Sequence, residues 1–360
     1  MAAHRAALED GTPRLRPLGE LLGADHPLSA LPAGWIEPRS LLNHRKWAPA
    51  TMAALHVARD AASAAEWTPA MLEDAALVFA SSRGTASGWL DPWPRRRPFP
   101  VMAASNSMTA EPATAVSIEL GIKGPCHVLS TGCAAGLDAL GIAALLLHSR
   151  IVPRALVVAV DLPLAPHILD AYQRSGMLST NGLNDPYSPE TTGMLPAEGA
   201  AAMALESAEN TANFPLFLGH LSNSDAHNPI SMPPDGQPIS RLVQAATRQF
   251  GVPAAICPHA GGTPALAKAE PIAIRNALPE APPLLVLKPL AGHCIAAAAL
   301  LESVLIADSL LHHRLPQSPD GLTPPKTFSL ASTSLPARKP VFKLASGLGG
   351  HNSLAAFQSA

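Results

Sequence analysis

Short, wholly apolar segments alternate along this chain with longer segments of helical periodicity. The clearest example runs from a strand candidate at 126–129, through an apolar helix candidate at 133–148, to a second strand candidate at 155–160. Strands without polar alternation are typical of sheets that are covered on both faces, and a helix between two such strands predicts a βαβ unit. The pattern therefore places the fold in the α/β class.

The same alternation predicts the remaining elements. Before the βαβ unit it predicts a helix at 50–65 and a buried strand at 76–80, and after it a strand at 201–205. The later elements are predicted as helices at 239–250, 264–277 and 294–312, with strands at 254–257, 284–287, 342–344 and 354–357. Residues 1–38 lack a period and are expected to be irregular apart from one short helix near Leu18, and the proline-rich stretch 91–100 is expected to be a surface loop.

A faint internal repeat accompanies this alternation. The sequence 131–136 (TGCAAG) opens one apolar helix, and 291–299 (AGHCIAAAA) opens another. Two similar halves would bring both helix starts to one shared site. We therefore divide the chain into an N-terminal half, 1–209, with a nucleophile, and a C-terminal half, 210–360, with histidines.

Charge and cysteine content exclude several functional classes. The formal net charge is -2, and the longest basic cluster is Arg95–Arg97, which gives no footprint for nucleic acid. The four cysteines show no CxxC spacing, so we expect a reducing, cytoplasmic setting. Apolar runs are too short to span a bilayer, and residues 1–10 do not resemble a signal peptide.

Cys133 stands where a loop meets a helix. At a helix start, unpaired N–H groups and the helix dipole favour an anion, so we expect a lowered thiol pKa and stabilisation of an oxyanion. The alternative is a small buried side chain, which is the commoner fate of a free cysteine. His259 and His293 also follow strand candidates, as does Lys288, so these groups are candidates for the same site.

A zinc site and a hydrolase nucleophile elbow are the two alternatives to this site. The cysteines and histidines could supply zinc ligands, but they show neither of the short ligand spacings of zinc sites, and no metal is expected. The sequence 132–136 (GCAAG) does not fit the G-x-[SC]-x-G elbow of a serine-type hydrolase.

Taken in chain order, these junctions resemble the β-ketoacyl synthase family, the condensing enzymes of fatty-acid and polyketide synthesis. The matching motifs are Gly124-Pro125 with 130–136 (STGCAAG), 177–179 with 185–187 and 197–200, 258–264 (PHAGGTP) with 268–270, Lys288 with Gly292-His293, and 347–352 (GLGGHN). The resemblance implies a thiolase-like five-layer αβαβα fold built from two similar halves.

The resemblance also implies roles. Cys133 would accept an acyl group from the phosphopantetheine arm of an acyl carrier protein, and the protein itself would need no cofactor. His259 and His293 would promote decarboxylation of a malonyl unit and stabilise the enolate as neutral N–H donors. Lys288 would bias the local charge around the second histidine.

Other positions have supporting roles by the same resemblance. Glu270 would organise the polar network behind the histidines, and the backbone N–H groups of Cys133 and Leu348 would form an oxyanion hole. Thr263, Gly347 and Gly349 would contact substrate. Leu348 stands where a phenylalanine commonly gates acyl entry, and Ala197 and Ala267 also depart from the pattern. Family members usually begin with a glycine-rich strand that is not evident over 1–42, so the first sheet is expected to lack an edge strand.

Three functions remain open at this point. The first is a condensing enzyme, in a specialised polyketide or aryl polyene-type pathway. The second is a non-catalytic, chain-length-factor-like partner of an active ketosynthase, and the third is an acyltransferase to an alcohol or amine. The resemblance implies a homodimer or heterodimer formed through edge strands near the nucleophile.

Overall fold

The computed structural model describes residues 11–86, 108–207, 214–334 and 338–360. The strands are β1 Arg16–Pro17, β2 Pro32–Ala33, β3 Ala76–Ala80, β4 Cys126–Leu129, β5 Arg154–Asp161, β6 Gly199–Glu206, β7 Leu216–Ser224, β8 Ala255–Cys257, β9 Val341–Gly347 and β10 His351–Gln358. The helices are α1 Gly19–Leu22, α2 Pro49–Ala64, α3 Pro69–Glu73, α4 Glu111–Leu120, α5 Ala135–His148, α6 Pro166–Arg174, α7 Gln237–Phe250, α8 Pro264–Ala277, α9 Lys288–Ala291 and α10 Ala296–Leu311, with 3-10 turns at Arg39–Leu42 and Gly132–Ala134. The loop predicted at 91–100 lies outside the described residues.

Two four-stranded sheets form the framework. The N-terminal sheet has the order β4-β3-β5-β6, in which β3 pairs in parallel with β4 and β5, and β6 runs antiparallel to β5. The C-terminal sheet has the order β7-β10-β9-β8, with only β8 and β9 parallel. The carboxyl ends of β4 and β8 therefore deliver the loops that follow them, at 130–133 and 258–263.

Both faces of each sheet are covered, as the all-apolar strands predict. In β3, Val78 faces the core between the sheets, while Leu77 and Phe79 face the outer core beneath α2 and α4. Helices α5 and α10 pack against each other in the middle layer, and α7 and α8 cover the outer face of the C-terminal sheet. The result is the expected five-layer αβαβα arrangement.

The predicted strand at 284–287 is wrong. Leu284 makes only single bridges, to Ile256 on one side and to Leu330 on the other. The chain has no room to extend this pairing, because it enters α9 directly afterwards at Lys288. Sequence reasoning also missed β7, whose mixed sequence LFLGHLSNS hides its pairing with β10.

The described N-terminal residues form an arm, 11–35, that packs beside α9 instead of joining the N-terminal sheet. Arg14 N donates a hydrogen bond to Leu290 O (2.8 Å), and Gly34 N donates one to Pro196 O (3.2 Å). A Cβ added at Gly34 would lie 2.3 Å from Ala291 O, so the arm and the α9 loop are in close contact. The predicted short helix near Leu18 is present as α1.

No helix within the described ranges is both long enough and apolar enough to cross a bilayer.

Candidate active site

Three side chains from separate loops meet at one point between the two sheets. Cys133 lies in the 3-10 turn that joins β4 to α5, His259 follows β8, and His293 lies between α9 and α10. Cys133 Sγ is 3.4 Å from His293 Nε2, and the two imidazole centroids are 5.2 Å apart in an edge-to-face arrangement. The structure therefore brings together the three residues that the sequence singled out.

The environment of the thiol differs from the expectation. Cys133 is only 6% exposed, and burial raises its pKa to about 11. The charges of Lys288 and Arg83 and the N–H of the turn lower the pKa, but the loss of solvation is larger, and Asp161 adds to it. The predicted lowering of the thiol pKa at a helix start is therefore wrong for the free protein.

The histidines are held in the neutral form. Burial lowers the pKa of both His259 and His293 well below the usual value, and the charge of Lys288 lowers it further. Ile295 N donates to His293 Nδ1 (3.2 Å), so the remaining ring proton of neutral His293 is on Nε2, facing the sulfur. His293 therefore presents an N–H donor to the sulfur of Cys133.

A buried carboxylate between two buried lysines lies behind the histidines. Lys288 Nζ donates to Glu302 Oε1 (2.5 Å), Lys343 Nζ pairs with Glu302 Oε2, and Lys343 also donates to Pro258 O (3.0 Å), next to His259. Sequence reasoning missed Glu302 and Lys343. A signal was present for Lys343, the only charged residue of β9, whereas Glu302 shares α10 with Asp308 and does not stand out.

Glu270 anchors the loop that carries His259. Its carboxylate accepts hydrogen bonds from His259 N (2.6 Å), Ala260 N (3.0 Å) and Tyr187 Oη (2.7 Å). Its contacts are with the backbone of the histidine loop, so Glu270 is a positioning residue. The structure places it behind the histidines, as expected.

The predicted oxyanion-hole segments lie side by side. A Cβ added at Gly347 would lie 2.7 Å from Thr131 O and 3.2 Å from Cys133 N, so only glycine allows this approach. Leu348 follows at the tip of the β9–β10 hairpin and is 38% exposed, and Gly349 has a positive φ of 86°. The structure brings the backbone of Leu348 next to the 3-10 turn that carries Cys133.

Thr263 lies farther out, at the start of α8, and is partly buried. A small surface cleft reaches Lys288 and His293, and the backbone of Gly261 and Gly262 forms part of its wall. Thr263 immediately follows this wall.

The 3-10 turn that carries Cys133 is held by a polar network that spans both halves of the chain. Thr131 Oγ1 donates to Asp138 on α5, and the other oxygen of Asp138 is 3.2 Å from His220 Nε2 on β7. His220 Nε2 also lies 2.6 Å from Ser353 Oγ on β10. Sequence reasoning did not find this network, because β7 was not predicted.

The ligand atoms of Cys133, His259 and His293 all lie within 4.8 Å of one another, which is close enough for a metal ion. The tautomer argues against this role. A ligand nitrogen must be unprotonated, yet the N–H of Ile295 occupies His293 Nδ1 and leaves the proton on the Nε2 that faces the cluster.

Comparison with known families finds two matching models. The model of the β-ketoacyl synthase N-terminal domain matches residues 36–211, and that of the C-terminal domain matches residues 216–321. The arm at 11–35 lies before the matched region.

Several relatives are similar to this chain in sequence. A 3-oxoacyl-[acyl-carrier-protein] synthase homolog of Saccharomyces cerevisiae is 27% identical over 56% of this chain and 49% of its own length. A putative polyketide β-ketoacyl synthase 1 of Streptomyces halstedii is 25% identical over 67% of this chain and 62% of its own. 3-Oxoacyl-[acyl-carrier-protein] synthase 2 of Staphylococcus aureus is 27% identical over 68% and 65%. The chain thus spans about half to two thirds of the length of these curated relatives.

Solved structures share the fold. A ketosynthase in complex with its type II polyketide acyl carrier protein superposes with a TM-score of 0.82 at 23% identity, covering 99% of this chain and 94% of the other. The ishigamide ketosynthase/chain length factor gives 0.82 at 20% identity, covering 100% and 95%. At these identities the likeness is one of fold.

Proposed function

The chain belongs to the β-ketoacyl synthase family, and on that premise we propose that it is a β-ketoacyl-[acyl carrier protein] synthase. The reaction would join an acyl chain on Cys133 to a malonyl unit with loss of CO₂. The observation that carries the proposal is the meeting of Cys133 Sγ with the Nε2–H of His293 at 3.4 Å, beside a second neutral imidazole.

The first step would be acyl transfer between two thiols. The sulfur of Cys133 attacks the thioester of an acyl carrier protein, and the phosphopantetheine thiol leaves. The proton that Cys133 loses ends on the departing thiol, so the step needs no other reactant. Because burial raises the thiol pKa to about 11, we expect deprotonation to accompany attack and not to precede it.

The second step would break one carbon–carbon bond and make another. The malonyl thioester loses CO₂, and its electron pair forms an enolate whose oxygen accepts hydrogen bonds from the N–H groups of His259 and His293. The enolate carbon attacks the acyl thioester on Cys133, and the backbone N–H groups of Cys133 and Leu348 stabilise the oxyanion that forms from the thioester carbonyl. The Cys133 thiolate then leaves and regains a proton. Neutral imidazoles suit this task, since they donate without protonating the carbanion.

The partners follow from the same proposal. An acyl carrier protein would present both substrates, and no resident cofactor is required. Strand β4 is an edge of the N-terminal sheet and carries the partly exposed Cys126 and His127, so a second ketosynthase-like chain, identical or not, would pair along it. A specialised polyketide or aryl polyene-type pathway is our proposal for the setting.

The test is covalent loading from a radiolabelled acyl carrier protein, followed by decarboxylation of malonyl carrier protein. Wild type and Cys126→Ala should be labelled equally, because Cys126 is exposed at the amino end of β4, whereas Cys133 follows the carboxyl end of that strand. Cys133→Ala should not be labelled. Equal labelling of Cys133→Ala would exclude Cys133 as the nucleophile.

One observation favours a second candidate, a non-catalytic partner that shapes the pocket of an active ketosynthase. A thiol whose pKa is raised to about 11 is a weak nucleophile in the free chain. Under this candidate the chain would co-purify with a second ketosynthase, and Cys133→Ala in that complex would leave the product unchanged. Loading without any malonyl decarboxylation would instead point to an acyltransferase.

A further inference from the structure

The apolar wall around Cys133 contains one polar atom that the proposed reaction does not use, the hydroxyl of Tyr172. Tyr172 lies on α6 and is 4% exposed, and its hydroxyl has no hydrogen-bond partner among the described residues. An unpaired buried hydroxyl costs free energy, so in a natural protein it needs an explanation. A ligand that completes the hydrogen bond is one such explanation.

Tyr172 and Cys133 belong to the same buried cluster. The arm contributes Leu18 and Leu31 to it, α6 contributes Ile168 and Tyr172, and Ile295 closes it beside the histidines. The phenol lies near enough to the thiol that a charge on Cys133 raises the pKa of Tyr172. On its other side the sulfur faces His293 Nε2 at 3.4 Å, so we place an acyl chain attached to Cys133 on the side of this apolar cluster.

Arg83 adds a positive charge to the same wall. Its guanidinium carbon lies 5.0 Å from the centroid of the Tyr172 ring, and it lowers the pKa of the phenol without coming within hydrogen-bond distance of the hydroxyl. Arg83 also acts on the thiol, whose pKa it lowers. The apolar cluster around Cys133 thus holds one O–H donor without a partner among the described residues and one nearby cation, both of which suit an oxygen acceptor. The nearby Asp161 carboxylate is already occupied, because it accepts hydrogen bonds from Ser81, Ser82 and Ala296.

We propose that the acyl group held on Cys133 carries an oxygen close to the thioester, and that Tyr172 donates a hydrogen bond to it. The substrate class is then 3-oxo or 3-hydroxy acyl chains, in which earlier rounds of extension have not been fully reduced. A saturated chain leaves the hydroxyl unpaired, and a site built to hydrogen-bond a substrate oxygen discriminates against the analogue that lacks it. This inference rests on the proposed function, because it requires an acyl group on Cys133.

The experiment compares acyl loading from N-acetylcysteamine thioesters of octanoate, 3-hydroxyoctanoate and 3-oxooctanoate. The initial rate of Cys133 acylation is measured by intact-protein mass spectrometry in wild type and Tyr172→Phe. We expect wild type to load at least one oxygenated chain about tenfold faster than octanoate. Tyr172→Phe should lose most of that preference while its octanoate rate is kept or raised.

The outcomes separate this inference from the function beneath it. If wild type loads no thioester at all, the proposed function fails and the inference falls with it. If all three load equally, or if Tyr172→Phe keeps the preference, the inference alone is overturned. Folding of Tyr172→Phe is checked by its melting temperature, which should equal or exceed that of wild type because the lost hydroxyl has no partner.

Discussion

The two buried histidines make a measurable contribution to the pH dependence of stability. Both have a pKa held well below 6.5 in the folded protein, so the unfolded chain binds two more protons than the folded chain once the pH falls below that value. The free energy of unfolding therefore decreases as the pH is lowered, by up to about 1.4 kcal/mol per pH unit for each histidine. Integrated from pH 7 to pH 5, the two together account for at most about 4 kcal/mol.

Other titratable groups change the stability in the opposite direction as the pH falls, so the experiment measures the difference in stability between wild type and a variant. Burial raises the pKa of Glu111 to about 7, which stabilises the folded protein as the pH falls. We compare wild type with His259→Gln/His293→Gln by urea unfolding at fixed protein concentration, from pH 7 to pH 5. A control, His312→Gln/His313→Gln, removes two exposed histidines from the surface.

The stability difference between wild type and the His259→Gln/His293→Gln variant should change by up to about 4 kcal/mol over this range, with wild type losing more as the pH falls. The profile of the control should stay parallel to that of wild type. Parallel profiles for wild type and the buried-histidine variant would falsify the conclusion that both imidazoles are neutral in the folded site.

Three further substitutions test the surroundings of the site. Thr131→Val should slow acylation of Cys133 about tenfold, because the turn loses its bond to Asp138, while Thr131→Ser should keep the wild-type rate; equal rates in all three proteins would contradict a positioning role. Lys343→Met should lower the unfolding free energy in urea by about 3 kcal/mol, since a buried ion pair is broken, and an unchanged midpoint would count against that pairing. Gly141→Ala should lower the melting temperature, because the new Cβ would lie 2.2 Å from His220 Nδ1. This overlap outweighs a gain of about 1 kcal/mol in helix propensity. A higher melting temperature would show that His220 moves aside freely.

Prediction of the fold succeeded for the short, mainly apolar strands of the N-terminal sheet. The strands at 76–80 and 126–129 were predicted to the residue, because a run of apolar side chains has few other uses in an α/β protein. It failed for β7, in which a glycine and several polar residues interrupt the apolar run and His220 faces the polar network with Asp138 and Ser353. The segment 284–287 failed for the opposite reason, since it is apolar and buried yet turns into α9 before it can pair.

Some residues of the candidate site could likewise be predicted from the sequence and others could not. The order of the junctions along the chain was enough to select Cys133, His259 and His293, because loops that follow strands converge at the ends of a sheet. Sequence reasoning did not select Glu302 and Lys343, because only the packing of α10 against β9 brings them together as a pair.

What the sequence by itself determined is therefore the class of fold and the identity of the three side chains that meet at the candidate site, both of which follow from local patterns and their order. Tertiary structure alone decided their ionisation: the raised thiol pKa, the neutral histidines and the proton on His293 Nε2. The physical reason is that solvation, nearby charge and hydrogen bonding act through space. The groups that supply them at Cys133, such as Lys288, come from parts of the chain that folding alone brings together.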